Sequence, residues 1–163
     1  MDFDSTFDEH YPPLLRYCSR LCGDRDVAED IAQEAMIRLF DHAVEGPEAG
    51  RRAWLFKTAT HLVRDRYRVE ENRRRLLIEN PVTPTEPESP SRSLERQETR
   101  NEARKALDLL PERDREILLM RYAGFSYREI AEAVDVAATS VGTLLARAER
   151  RFTESMSATG RLA

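Results

Sequence analysis

The stretch GFSYREIAEAVDVAATSVGTLLARAERRF, residues 124–152, constrains the fold of this chain more than any other. Tyr127, Ile130, Ala131 and Val134 fall at i, i+3, i+4 and i+7, one face of a helix. After a break at Asp135–Ala138 the spacing resumes with Val141, Leu144, Leu145, Ala148 and Phe152. Two short amphipathic helices joined by a tight turn predict a helix-turn-helix, and the small Ala131 lets them cross closely. Opposite the second apolar stripe stand Ser140, Thr143, Arg147 and Arg150, a polar face suited to a DNA groove.

Charge complicates that reading. Over 163 residues the formal net charge is −4 and the pI about 5.5. Phosphate contacts supply most non-specific DNA affinity, so a protein that binds DNA unaided normally carries a positive excess. A DNA-reading element on an acidic chain implies that another molecule brings it to DNA. The uneven distribution sharpens the point. Residues 1–50 hold four arginines against twelve carboxylates, a net of −8. Residues 51–75 hold eight arginines and one lysine against three carboxylates, a net of +6. Trp54, Phe56 and Tyr67 lie among those cations, the combination that stacks unpaired bases while holding their backbone. A solvated face with intrahelical ion pairs is the plainer reading of the same helix.

Scarce glycine and the lack of long β-branched alternation predict an all-α protein. Residues 80–93, NPVTPTEPESPSRS, carry four prolines and one clearly apolar residue, so they read as an extended linker. The expected organisation is two small helical domains joined by a flexible Pro-rich linker, the C-terminal one holding the helix-turn-helix: 1–78, linker 79–98, and 99–163. The first domain should contain helices near Thr6–Leu21, Val27–Val44 and Arg51–Arg75. Pro12–Pro13 suggests that the first becomes regular only at Tyr11, and EGPEAG (45–50) reads as a turn. Asp24 or Asp26 can cap the second helix. The second domain should open with a helix near Leu94–Leu110. It continues through LPERDREILLMRY (110–122), with Ile117, Leu118 and Tyr122 inward and Gly124 as a stop. The tail from Thr153 reads as short and polar.

No apolar run approaches the roughly 20 residues that cross a bilayer, and the acidic N-terminus lacks a signal pattern. A cytoplasmic protein with no membrane insertion is expected. Cys18 and Cys22 read as small thiols in a reducing compartment rather than a zinc site, since only His10 lies near. No phosphate-binding glycine loop, catalytic triad or metal cluster appears, so neither enzyme chemistry nor a cofactor or metal is expected.

Together these motifs resemble small bacterial RNA polymerase sigma factors of the extracytoplasmic-function (ECF) class. DVAEDIAQEAMIRLF (26–40) is similar to the family's core-polymerase-binding helix, and AWLFKTATHLVRDRYR (53–68) to the helix that melts and reads the −10 element. Residues 110–152 resemble its −35-reading domain. The resemblance implies that Asp30, Gln33 and Glu34 contact core RNA polymerase, and that Trp54, Lys57, His61, Arg64, Arg66 and Arg68 serve the −10 element. For Trp54 a core position is the stronger of two readings, given Leu55, Leu62 and Val63 around it. For the −35 element it implies Arg128, Ser140, Thr143, Arg147, Arg150 and Arg151. The family often has Asn where His61 stands, and Lys, Arg and His where this chain has Gly142, Leu144 and Ala146. Recognition of the −35 element should therefore be weak and polymerase-dependent. The implied partners are core RNA polymerase, promoter DNA and an anti-sigma factor. The implied function is a dissociable sigma subunit that directs promoter-specific initiation. A sigma-like adaptor and a conventional helix-turn-helix regulator are the rival readings.

Overall fold

In the computed structural model, residues 2–76 and 94–161 are described; of these, the side chains of 74–76, 94–97 and 161 are left aside. Most of the expected linker thus lies outside the described residues. Seven helices make up the described part: α1 (Phe3–Cys22), α2 (Arg25–Asp41), α3 (Glu48–Leu76), α4 (Leu94–Asp108), α5 (Glu112–Tyr122), α6 (Tyr127–Val134) and α7 (Ala138–Arg161).

The first three helices form a bundle whose order follows from caps and apolar spacing. Asp2 and Asp24 cap α1 and α2, the second accepting from the Val27 amide at 3.1 Å. A cap of this kind is worth about 1 kcal/mol. Gly23, at φ 70°, closes α1 in the left-handed conformation and leaves a one-residue gap before the Asp24 cap. Leu14, Tyr17, Cys18 and Leu21 of α1 meet Ala28, Ile31, Ala32, Ala35, Met36 and Leu39 of α2. The run of small alanines lets these backbones approach closely. α3 lies across both through Leu55, Phe56, Ala59 and Val63. Thr60 gives its only proton to the Phe56 carbonyl, so Tyr17 must donate to Thr60 Oγ1 at 2.7 Å, which ties α1 to α3 inside the core. Burial raises the Tyr17 pKa and keeps it a donor.

Two boundaries differ from expectation. α1 is helical from Phe3 and runs through Pro12 and Pro13. The carbonyls these prolines leave without a partner belong to Asp8 and Glu9, both on the exposed side where water can take over. Thr6 and His10 meanwhile anchor the first turns inside. α3 begins at Glu48, inside the expected turn, because the Pro47 carbonyl accepts from Gly50 and Arg51 and starts the helix early.

Helices α4–α7 form the second bundle. Ser126 and Glu129 make a reciprocal capping box at the start of α6. Asp135, at φ 56° and ψ 52°, ends α6 as a left-handed cap, a conformation Asp tolerates better than most residues. Ile130, Ala131 and Val134 then pack against Val141, Leu145 and Ala148 of α7, the expected helix-turn-helix core. Tyr127 and Tyr122 do not join it: they are 43% and 77% exposed. Leu119 and Met120 fill the α5 face instead of Tyr122. α4 begins at Leu94, so residues 94–98 of the expected linker are helical. The polar tail is helical too, as α7 continues to Arg161. The hydroxyls of Thr153, Ser157 and Thr159 bond back to carbonyls four residues earlier, which hides their polarity within the helix.

The two bundles are in contact. Phe125, 2% exposed, meets Phe56 at 4.7 Å between ring centroids, and Arg52 lies over both rings. Arg115 of α5 reaches the Leu21 carbonyl of α1 at 3.2 Å. Helix α3 packs on α6, and α1 on α5.

Candidate nucleic-acid interface

The α2 face is simple. Asp30 and Gln33 are exposed and Glu34 half-buried, with Ile37, 54% exposed, one turn further on. Glu34 accepts from Arg38 at 2.8 Å, and Asp30 stands 3.8 Å from Arg66 of α3. These are surface pairs worth at most about 1 kcal/mol each, so the carboxylates are readily given to another partner. An acidic face with an apolar residue at its end suits a basic protein surface.

The α3 cations are distributed differently. Arg66 and Arg68 are exposed, and Lys57 is half-buried. Trp54 packs partly buried against the core with its ring 6.0 Å from His42, which agrees with the core reading of this residue. His61 and Arg64 turn toward the second bundle. Arg64 places Nε and Nη2 on the two carboxylate oxygens of Glu116 at 2.8 and 2.5 Å. The Arg64 side chain is 17% exposed and that of Glu116 0%. Desolvation raises the Glu116 pKa against the opposing pull of Arg64, while the bond to Glu116 raises that of Arg64. His61 Nε2 lies 3.1 Å from the Ala133 carbonyl, a distance that requires the Nε2–H form, and Asp135 stands 3.8 Å away.

On the helix-turn-helix, Arg128, Thr143 and Arg150 are exposed and Ser140 is half-buried. Arg147 and Arg151, one turn apart on α7, both donate to Asp114 of α5, at 3.0 and 2.5 Å. Asp114 is fully buried, while the two arginines keep about 40% exposure. The pair therefore fixes both guanidinium groups at the edge of the α7 face. Gly142 sits under the Tyr127 ring, where an added Cβ would make an ordinary 3.5 Å contact. Packing therefore does not require glycine there.

Asp114 and Glu116 are the two residues that sequence reasoning missed. Asp114 shares a helix face with Ile117 and Leu118, so an acid on an apolar face was the available signal. Their partners lie 33, 37 and 52 residues away and could not be read from local spacing. The thiols are inert: burial pushes Cys18 up to about 12 and Cys22 up to about 11. Among the described residues no group of three or more His, Cys, Asp or Glu side chains could hold a metal ion. Nor is any described helix long and apolar enough to cross a membrane.

An acidic helix face, a cationic helix beside it and a helix-turn-helix together define a sigma-type architecture. Residues 6–73 match the Sigma-70 region 2 family, and residues 100–152 match Sigma-70 region 4. ECF RNA polymerase sigma factor EcfG of Rhodopseudomonas palustris (strain TIE-1) is 31% identical over 147 residues, which cover 85% of this chain and 75% of EcfG. RNA polymerase sigma factor YlaC of Bacillus subtilis (strain 168) is 26% identical over 94% of this chain and 91% of YlaC. ECF sigma factor SigL of Mycobacterium tuberculosis is 41% identical over 64 residues, 38% of this chain, and the chain spans only 36% of the length of SigL. The fold matches the sigma factor RpoE in complex with the anti-sigma factor NepR from Bartonella quintana, with TM-score 0.68 and 24% identity over 96% of this chain and 97% of that one. It also matches CnrH in complex with the cytosolic domain of CnrY, with TM-score 0.68 and 19% identity over 96% of this chain and 88% of that one. The chain belongs to the ECF sigma factor family.

Proposed function

We propose that this chain is a dissociable sigma subunit: it binds core RNA polymerase through α2 and directs initiation by reading −10 and −35 promoter elements. It carries no catalytic chemistry of its own and works in the cytoplasm. The observation that carries the reading is the combination on one chain of the open acidic α2 face, the cationic α3 beside it and the helix-turn-helix. Asp30, Gln33 and Glu34 meet a basic surface of the polymerase. Lys57, His61, Arg64, Arg66 and Arg68 hold the −10 strand, while Trp54 acts chiefly as a core support for that helix. Strand opening draws on capture of unstacked bases rather than on a nucleotide cofactor.

On the −35 side, Thr143, Arg128 and Arg150 are exposed and Ser140 half-buried, and these face the DNA in this reading, with Arg147 and Arg151 held beside them by Asp114. Gly142 and Ala146 add no charge, so this contact contributes modestly by itself. Tethering through polymerase raises the effective concentration of each weak reader. The linker sets the spacing that the two readers can bridge. An anti-sigma partner fits this reading, because RpoE of Bartonella quintana is seen with its anti-sigma factor NepR.

A sigma-like adaptor is the second reading, favoured by the arginines that Asp114 engages. Co-elution of the purified chain with bacterial core polymerase, followed by promoter activity of an Arg150→Ala variant, tests both. Binding together with at least a several-fold loss of activity supports the sigma reading. Binding with full activity in the variant favours the adaptor or a reader of the −10 element alone, and no binding returns a conventional DNA-binding regulator to first place.

A further inference from the structure

We propose that Asp114 is a positioning residue that sets the selectivity of the −35 reader. It fixes Arg147 and Arg151 in one orientation and cancels part of their charge, so α7 selects sequence rather than gripping any duplex. This rests on the sigma reading above and gives a role to a carboxylate that is buried and itself touches no DNA.

Ser140, Thr143, Arg147 and Arg151 follow one another at i, i+3, i+7 and i+11, a single stripe along α7. One turn apart, the two arginines would repel each other. Asp114, in the first turn of α5, accepts from each through a different oxygen: Oδ1 from Arg147 Nη2 at 3.0 Å and Oδ2 from Arg151 Nη1 at 2.5 Å. Both of its oxygens thus go to α7 rather than to its own helix. The arginine side chains stay 40% and 41% exposed, so each spends one terminal nitrogen inward and keeps donors for an outside partner. Arg147 Nε is buried without an acceptor, which leaves Asp114 as the anchor of that group.

Arg150 shows the alternative. Its side chain is 71% exposed and stands 4.0 Å from Glu154, a surface pair too weak to orient it. A free arginine reaches whatever phosphate lies near, which raises affinity for every sequence alike. A held one offers its planar donors along a single direction, which suits one base edge and leaves the wrong one unpaired. Holding it beforehand also removes the ordering cost at the moment of binding. The carboxylate offsets one of the two positive charges, and Gly142 and Ala146 add none, so indiscriminate attraction to phosphate stays low on this face.

The test uses the full chain carrying Asp114→Asn, by titration with mixed-sequence duplex DNA at low salt and by transcription of a random promoter library with core polymerase. Freeing both arginines should tighten mixed-duplex binding about threefold and steepen its salt dependence by about one phosphate contact. Preference at the upstream positions should fall about tenfold, the worth of one well-held base contact. A merely structural Asp114 would weaken both readouts together. That result overturns the proposal, as does an unchanged upstream preference or an unchanged mixed-duplex affinity. Thermal unfolding shows whether the variant folds. If it does not, Arg147→Lys decides, since lysine keeps a charge on Asp114 but has no planar donors to spare. It should lower the upstream preference about tenfold with mixed-duplex affinity within about twofold, and a parental preference overturns the proposal. The mixed-duplex titration needs no polymerase. If the chain fails to bind core polymerase the sigma reading falls, yet tighter binding by Asp114→Asn still supports this role and equal or weaker binding overturns it.

Discussion

The acidic face of α2 and the basic face of α3 lie side by side, yet the chain treats them oppositely. Asp30, Gln33 and Ile37 stand open, and among the described residues the cross-helix partner of Asp30 is Arg66 at 3.8 Å. Arg64 and His61, on the neighbouring helix, are engaged by α5 and α6. One surface is open, and part of the other is engaged by the second bundle. The difference teaches that the charge pattern of a helix face does not say whether its side chains are free. The acids of α2 hold only surface ion pairs, whereas Arg64 is held by the buried Glu116 and His61 by a backbone carbonyl.

The sharpest way to break the comparison is charge reversal on the open face. Asp30→Lys with Glu34→Lys should weaken core-polymerase binding at least a hundredfold, because like charges across an interface cost several kcal/mol. The loss of two exposed pairs, Glu34 with Arg38 and Asp30 with Arg66, should leave thermal stability within about 1 kcal/mol. Fluorescence anisotropy with labelled chain reads the first and thermal unfolding the second. An equal loss in both would mean that these acids serve the fold.

On the closed side, Phe125→Ala should cost about 3–5 kcal/mol, since the ring is buried and supports both bundles. Urea unfolding should then resolve two transitions, because the seam that couples the bundles loses its centre. A single transition shifted as a whole would place Phe125 in the C-terminal core alone.

A smaller effect belongs to the N-terminal bundle by itself. His10 is 2% exposed with Nε2 unpartnered, and burial lowers its pKa below the ordinary value of 6.5. The folded state then binds fewer protons than the unfolded one. Its contribution is complete above pH 6.5 and is lost as pH falls through the lowered value. Stability of the parent should decline over that window, and a His10→Gln variant should decline less. Equal slopes would contradict this account of His10.

The smallest effect is expected at Gly142. Gly142→Ala should stabilise α7 by about 0.5–1 kcal/mol, as the added methyl only touches Tyr127. Any loss of stability, read by thermal unfolding, would mean that the Tyr127 ring needs the gap.

What the sequence made legible was local. The 3.6-residue spacing placed Ile130, Ala131, Val134, Val141, Leu145 and Ala148 together, and they are buried as expected. The same spacing misplaced Tyr127 and Tyr122, because an aromatic ring at the edge of a stripe can cover it from outside. Boundaries failed where backbone groups met unforeseen surroundings: exposed carbonyls a turn before Pro12 and Pro13, the Pro47 carbonyl ahead of α3, and hydroxyls along the end of α7. In the site, the open cations Arg66, Arg68, Arg128 and Arg150 followed from helix faces. The state of Arg64, Arg147 and Arg151 did not, because it depends on carboxylates that only tertiary packing brings near.

The central claim is tested most directly by run-off transcription with the purified chain and bacterial core polymerase over a library of random promoters. The account predicts enrichment of two-part sequences with a fixed spacer, transcribed only when the chain is present, with the upstream part less constrained than the downstream one. Chain-independent transcripts, or none from a polymerase that does bind the chain, would contradict it.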